Sequence, residues 1–153
     1  MSTITRFAAK LVSPAKILYF PEAASQSFKK GEFVYLVSGK VTVASYGAGG
    51  AAKILGMAMQ DATGVTNTAI AVALAEEGVL FEMNVTTTTA ITQVGLSYGG
   101  SISSNKHSLA IADTTYQYFK VKSLSQKDAV GDTYGRVLVE VLGRICQASG
   151  QTS

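Results

Sequence analysis

The stretch EFVYLVSGKVTVA, at residues 32–44, decides the fold of this chain. Its first six residues are rich in aromatic and β-branched types and alternate, which favours a half-buried strand. Ser38 and Gly39 follow as a two-residue turn, and residues 40–44 alternate again. Two such runs joined by a short turn that contains glycine predict an antiparallel β-hairpin.

The same pattern continues along the chain, and helical periodicity is almost absent. Further strand-like runs occupy residues 54–59, 69–74, 79–85, 90–96, 109–111, 116–121 and 136–142. Turn-forming residues separate several of them, as at 61–64 and 125–132, and the Gly- and Ser-rich run 98–107 is expected to be a loop. About nine short strands predict an all-β fold, an antiparallel β-barrel or β-sandwich, over residues 28–146.

Residues 1–27 differ from the rest and are expected to form an extended N-terminal arm. Pro14 and Pro21 flank a short apolar run and confine it to an extended path or an edge strand. This run consists of Ile17, Leu18, Tyr19 and Phe20. Two placements are open, a strand or short helix of the chain's own fold or a strand added to a neighbouring subunit's sheet. Residues 147–153 are expected to be a flexible tail.

Charged residues make up only 15% of the chain, against roughly 25% in an average soluble domain. Apolar residues make up 47%, which excludes intrinsic disorder, since disorder requires low hydrophobicity and high charge. Residues 54–75 and 83–105 are the most apolar or uncharged stretches, but their polar side chains argue against a membrane span. A chain with so few charges is expected to bury part of its surface in an assembly.

The net charge of +3 is distributed unevenly. Residues 1–53 carry seven bases and two acids, residues 54–105 carry four acids and no base, and residues 106–153 carry six bases and four acids. This polarity is either the scatter of a few charges or a match to an oppositely patterned partner. Because the bases are too sparse for a nucleic-acid stripe, we expect protein partners, and neither nucleic acid nor a membrane.

Two sequence motifs suggest catalysis but lack the required context. Residues 95–99 spell G-x-S-x-G, yet no helical pattern follows Ser97, and the only histidine, His107, precedes Asp113, which is the wrong order for a hydrolase triad. Residues 47–52 match G-x-G-x-x-A, but a strand follows where a dinucleotide site needs a helix. Neither motif therefore predicts an active site.

The isolated titratable groups also lack partners in the sequence. Glu76 and Glu77 are adjacent, and strand geometry would direct them to opposite faces. His107 has no second histidine or cysteine near it and is interpreted as a loop histidine rather than a metal ligand. We therefore predict no enzyme activity, no catalytic residues, no cofactor and no metal site.

The cysteine content and the first residues bear on the compartment. Cys146 is the only cysteine, which excludes a disulfide scaffold and fits a reducing environment, and no activating base is evident near it. Residues 1–20 carry three bases, so they lack the uninterrupted apolar core of a secretory signal peptide. We expect synthesis in a cytoplasm.

Short motifs follow one another in a set order between residues 28 and 143. They are FKKGEFV with VSGKV in 28–41, ILGMA in 54–58, VAL with EGVLF in 72–81, QVGLSY in 93–98 and GRVLV in 135–139. Their order and spacing resemble those of the small capsid decoration, or cement, proteins of tailed bacteriophages. Residues 1–27 and the threonine run 86–89 have no counterpart in that pattern.

The resemblance implies a virion structural protein, made in the host cytoplasm. Such a protein binds the major capsid protein on the outer surface of an assembled head and also itself, commonly as a homotrimer. Ile17, Leu18, Tyr19 and Phe20 are then the candidate contacts to the capsid or to a neighbouring subunit. Two other functions are open: a tail-tube or other virion β-module, and a non-catalytic ligand-binding β domain.

Overall fold

The structure, a computed structural model, describes residues 2–149 and is almost entirely β. The described strands are β1 (Lys10–Leu11), β2 (Ile17–Pro21), β3 (Phe33–Val37), β4 (Lys40–Val43), β5 (Gly56–Ala58), β6 (Ala69–Leu74), β7 (Phe81–Asn84), β8 (Ser97–Ser103), β9 (Lys106–Ala110), β10 (Phe119–Leu124) and β11 (Arg136–Val141). Short 3-10 turns lie at Ile91–Gln93, Gly143–Ile145 and Gln147–Ser149. The predicted all-β fold is therefore confirmed, with eleven strands in the described residues rather than about nine.

The strands form two antiparallel sheets, one of which is a curled half-barrel. The larger has the order β1-β7-β11-β10-β8-β9, and a parallel bridge between Val85 and Leu109 joins the end of β7 to β9. The smaller has the order β2-β6-β5-β3-β4, and a parallel bridge between Glu22 and Val41 draws the end of β2 towards β4. The Glu22 bridge covers the end of β2 but not Ile17–Pro21, which among the described strands pair only with β6.

The strongest sequence patterns give the expected elements. β3 and β4 form the hairpin predicted from residues 32–44. Its turn residues Ser38 and Gly39 have φ values of 50° and 78°, as the tight turns of two-residue hairpins require. β11 alternates as predicted, because Val137, Val139 and Val141 are buried while the residues between them are only partly buried.

The Gly- and Ser-rich run at residues 98–107 forms most of the β8–β9 hairpin, so its prediction as a loop is wrong. The glycines serve close packing rather than a turn. A Cβ atom on Gly100 would lie 2.6 Å from the ring of Tyr46, and one on Gly99 would lie 2.6 Å from the carboxylate of Asp113. A glycine inside a strand commonly marks such a close approach.

Residues 90–96 form a 3-10 turn and an irregular segment, so their prediction as a strand is also wrong. The side chain of Gln93 closes this turn. Its Oε1 accepts a hydrogen bond from the backbone N–H of Ala90 at 3.0 Å, and its Nε2 donates to the carbonyl of Thr88 at 2.9 Å. The apolar side chains of this segment, which alternate as in a strand, are therefore exposed rather than buried against a core.

The hydrophobic core has two parts. The larger cluster contains residues of both sheets, and Phe33 packs in it against Phe81 and Phe119 with ring centroids 5.1 Å and 5.0 Å apart. The smaller cluster is mainly aliphatic and includes Ile70 and Val72 of β6. Each large side chain that is fully buried contributes about 1.5–3 kcal/mol to folding.

Gln147 links the end of the described chain to the smaller sheet. Its side-chain amide accepts a hydrogen bond from the N–H of Leu36 at 2.7 Å and donates to the carbonyl of Leu36 at 3.1 Å. Its backbone N–H donates to the carbonyl of Ile54 at 2.8 Å. Of the tail predicted at residues 147–153, residues 150–153 lie outside the described residues.

Candidate functional site

The four candidate contact residues lie on β2, at the edge of the five-stranded sheet. β2 pairs along its whole length with β6 of the same chain. Ile17, Leu18 and Tyr19 are 46%, 49% and 68% exposed. Phe20 differs from them, because it packs partly against the smaller core cluster. The arm thus adds a strand to its own sheet and leaves three large apolar side chains at the surface.

The backbone of β2 also presents an edge. The register is set by the N–H of Leu74, which donates to the carbonyl of Lys16 at 2.8 Å. In an antiparallel ladder, residues alternate between those that bond to the partner strand and those whose N–H and C=O face away from it. The backbone groups of Ile17 and Tyr19 therefore face away from β6. Such an edge is a template on which a further strand can form a ladder.

A buried carboxylate, that of Glu22, fixes the end of the arm. It accepts hydrogen bonds from the N–H and the hydroxyl of Thr63, at 3.0 Å and 2.7 Å, and from the N–H of Gly64 at 2.8 Å. Burial raises the pKa of Glu22, but these hydrogen bonds outweigh burial and hold the pKa below its ordinary value of 4.5. The charged carboxylate therefore ties β2 to the turn that follows β5.

The beginning of the arm is fixed to the other sheet by Asn84 of β7. The Oδ1 of Asn84 accepts a hydrogen bond from the N–H of Phe7 at 2.8 Å. Its Nδ2 donates to the carbonyls of Thr5 at 3.2 Å and Tyr134 at 2.6 Å. Because β1 pairs with β7 and β2 pairs with β6, the arm crosses from the six-stranded sheet to the five-stranded sheet.

A second exposed apolar surface lies on residues 91–96, called here the 91–96 turn. The large side chains that it exposes are Ile91 (71%), Val94 (43%) and Leu96 (52%). Two backbone hydrogen bonds hold it against β10, from Gly95 to Val121 at 2.8 Å and from Val121 to Leu96 at 2.9 Å. It lies within residues 83–105, which carry no charge. Exposed aliphatic side chains without charges are typical of the centre of a protein interface.

Sequence reasoning missed the 91–96 turn because the apolar alternation favoured a strand. The available signal was the absence of charge from residue 83 to residue 105. A buried strand and an exposed apolar turn share that composition. What separates them is the side chain of Gln93, which is 6% exposed and makes the hydrogen bonds that bend the backbone.

His107 lies fully buried on β9, so its interpretation as a loop histidine is wrong. Its Nε2 lies 3.1 Å from Oε1 of Glu32, and its Nδ1 lies 2.6 Å from the hydroxyl of Tyr46. The second oxygen of Glu32 accepts hydrogen bonds from Nδ2 of Asn105 at 2.9 Å and from the N–H of Lys29 at 2.7 Å. With its proton on Nε2, neutral histidine donates to Glu32 and accepts from Tyr46.

Hydrogen bonds keep Glu32 charged, whereas burial keeps Tyr46 neutral. Burial raises the pKa of Glu32, but the hydrogen bonds it accepts, first among them that of His107, outweigh burial and lower the pKa below 4.5. Burial, reinforced by its neighbours, raises the pKa of Tyr46 well above 10.0. Since Glu32 directly precedes β3 and His107 lies on β9, the network joins the two sheets.

The order tyrosine, histidine, carboxylate has the form of a nucleophile, its base and an orienting acid. The surroundings of Tyr46 favour a structural link instead. A Cβ on Gly100 would lie 2.6 Å from its ring, and the ring of Tyr118 meets it edge-on at a centroid distance of 5.0 Å. The ring of Tyr46 is therefore packed between two neighbours, and its hydroxyl is bonded to the buried imidazole.

The other sequence candidates are dispersed over the fold. Residues 47–52 connect β4 to β5, and the carbonyl of Ala51 accepts a hydrogen bond from the hydroxyl of Tyr118 at 2.5 Å. Glu76 and Glu77 lie between β6 and β7. Cys146 is buried and lies 3.6 Å from the carbonyl of Val141. Within residues 2–149, no group of three or more His, Cys, Asp or Glu side chains is placed to hold a metal ion.

The geometry thus offers two apolar surfaces, the β2 edge and the 91–96 turn, and one buried polar network. In the described part of the chain, no helix has the length and apolar character needed to span a membrane. The chain matches no family model, no curated protein and no solved structure. The two apolar surfaces are therefore the features that bear on function.

Proposed function

We propose that this chain is a capsid decoration protein, a virion structural protein that binds the outer surface of an assembled phage head and stabilises it. The observation that carries the proposal is the β2 edge, where Ile17, Leu18 and Tyr19 are exposed beside an open backbone ladder. The major capsid protein is the partner. The motif order between residues 28 and 143 supports the choice of a phage head.

The β2 edge suits a partner that is itself a protein. Ile17 and Tyr19 turn their backbone groups away from β6, so a strand of the capsid protein can extend the five-stranded sheet. Main-chain hydrogen bonds then supply affinity, and the exposed side chains supply apolar contact area. A protein that binds the assembled shell but not loose subunits stabilises the shell by mass action.

The 91–96 turn suits contact with a second copy of this chain. Its exposed side chains Ile91, Val94 and Leu96 carry no charge, so two copies meet there without like-charge repulsion. We propose a homotrimer that uses this turn, while the β2 edge of each copy faces the capsid. Several contacts per oligomer give strong attachment even where each contact is weak.

A triple variant, Ile17→Ser with Leu18→Ser and Tyr19→Ser, tests the proposal. Purified heads that lack this protein are mixed with the variant and sedimented, and the bound fraction is compared with that of the unmutated chain. We expect binding to be lost. Val130→Ser is the matched control, because Val130 is 48% exposed on the loop between β10 and β11, and it should bind normally.

Electron microscopy of particles with the bound protein separates the alternatives. Dense coverage of the head supports decoration, whereas density confined to the tail would favour a tail-tube or other virion β-module and contradict the proposal. Binding of the triple variant at unchanged occupancy would also contradict it, because the β2 edge would then not be the contact. A sedimentation profile in which Ile91→Ser with Leu96→Ser remains oligomeric would contradict the proposed role of the 91–96 turn.

A further inference from the structure

A groove of about 600 Å³ lies where the arm passes between the two sheets. One wall is the arm segment 7–11, and the other is formed by Lys30, Gly31, Met57 and Met59. Its volume falls within the range of roughly 300–1,000 Å³ that is typical of small-molecule sites. The groove is separate from the exposed residues of the β2 edge and from the 91–96 turn.

The shape of the groove depends on Gly31. This residue has a φ of +96°, and a Cβ atom on it would lie 2.9 Å from the carbonyl oxygen of Ala9. The arm can therefore lie directly against the backbone of residue 31. The partly buried thioether side chain of Met59 forms an adaptable apolar surface beside it, because methionine is flexible and polarizable, and Met57, which is 2% exposed, packs into the core beneath the groove.

Among the described residues, two lysines are the only charged ones that line the groove, Lys10 on the arm and Lys30 on the opposite wall. Within residues 2–149, neither of them forms an ion pair with an acidic side chain. The ring of Phe7 lies 6.0 Å from Nζ of Lys10. Two cations among the lining residues give the groove a positive charge, which attracts a negatively charged ligand.

We propose that this groove binds an amphiphilic anion, a single alkyl chain with a carboxylate headgroup. The alkyl chain lies against Met59 and the arm segment 7–11, above the buried Met57, and the carboxylate pairs with the ammonium groups of Lys10 and Lys30. Charge complementarity selects an anionic headgroup, and the apolar walls select the chain. The ligand bridges the arm and the β domain, so its binding stabilises the folded chain. This inference concerns the isolated chain and does not depend on binding to a capsid.

Methionine methyl NMR spectra of the full chain test the proposal with dodecanoate as the probe, below its micelle threshold. We expect the methyl signals of Met57 and Met59 to shift and the signal of Met83, which does not line the groove, to stay in place. Dodecyltrimethylammonium, which has the same alkyl chain and the opposite charge, should produce much smaller shifts. Equal shifts with both probes, or no shift with dodecanoate, would overturn the proposal.

The double variant K10Q/K30Q tests the headgroup contact. Both lysines are exposed, so the fold should be retained, and the unchanged signal of Met83 verifies this. Dodecanoate binding should weaken about tenfold. The matched control is K16Q/K29Q, which removes the same net charge from exposed positions outside the groove and should bind dodecanoate as the unmutated chain does. If both double variants lose affinity equally, the effect is one of overall charge and the site is not the one proposed.

Discussion

The β2 edge and the β8–β9 hairpin reverse the usual placement of residue types. On β2, Tyr19 is 68% exposed, while on β9 the imidazole of His107 is fully buried. A buried polar group destabilises a fold unless its hydrogen bonds are satisfied, and those of His107 are satisfied by Glu32 and Tyr46. Within the described residues, the exposed apolar groups of β2 have no such compensation. The hairpin therefore holds the two sheets together, whereas the β2 edge leaves apolar surface that, in the proposed function, contacts the capsid.

The largest effect should come from His107→Ala. It removes the link between the sheets and leaves the carboxylate of Glu32 and the hydroxyl of Tyr46 without their shared partner. We expect the free energy of unfolding to fall by about 3–5 kcal/mol, measured by chemical denaturation. Lys106→Ala, on the preceding residue, is the control. A loss below about 1 kcal/mol would show that the buried network does not hold the hairpin.

Gly100→Ala tests the packing of Tyr46 against β8 of the β8–β9 hairpin. The added Cβ would lie 2.6 Å from the ring of Tyr46, so the ring or the strand must move. We expect a loss of about 1–3 kcal/mol in the free energy of unfolding. Gly143→Ala is a matched control, because a Cβ there meets nothing within 4 Å. Equal stability of the two variants would contradict the close packing of Tyr46 on β8.

Acid should destabilise the end of β2 and the buried network of His107, because each depends on a charged carboxylate, that of Glu22 or that of Glu32. The pKa values of Glu22 and Glu32 are lowered by folding, so their contribution is complete above the unfolded value near 4.5 and is lost as the pH falls through the folded values. Glu22→Gln should destabilise by about 1–2 kcal/mol at neutral pH and flatten the acid dependence. Glu77→Gln, at an exposed position, should change neither quantity. Melting temperatures measured from neutral pH to below pH 4.5 distinguish these outcomes.

Per residue, the smallest effect on stability should come from the β2 edge itself. The variant with Ile17, Leu18 and Tyr19 replaced by serine should lower the free energy of unfolding by about 0.5 kcal/mol per residue, because about half or more of each side chain is exposed. Its binding to heads should nevertheless be lost. If instead it unfolds as readily as His107→Ala, the two regions serve the same structural role and the contrast fails.

The sequence pattern predicted those strands and turns whose formation depends on residues close together in the chain. The hairpin at residues 32–44 has both alternation and turn chemistry, and β6 has the bounds that the sequence indicates, Ala69–Leu74. The apolar run on β2 was also recognisable, because prolines flank it. These features depend on neighbours in the sequence, so one sequence is enough to identify them.

The buried network could not be predicted from the sequence, because its members are distant along the chain. His107 is separated from Glu32 by 75 positions and from Tyr46 by 61. The residues before His107 do not indicate burial, since they are the polar Ser104, Asn105 and Lys106. Gly99 and Gly100 are equally ambiguous, because glycine serves both turns and close packing. Only the three-dimensional neighbours decide between these roles.

The pairing of the arm has a consequence for the order of folding. Lys10 pairs with Glu82 and Ile17 pairs with Ala73. β1 and β2 therefore cannot pair until β7 and β6, which are synthesised much later, are available. Contacts between such distant segments form slowly, because a large loop must close first. In that interval β2 can add to the β6 of another copy and regain the same ladder. Strand exchange between nascent chains is therefore a route to dimers that requires no contact beyond those of the monomer.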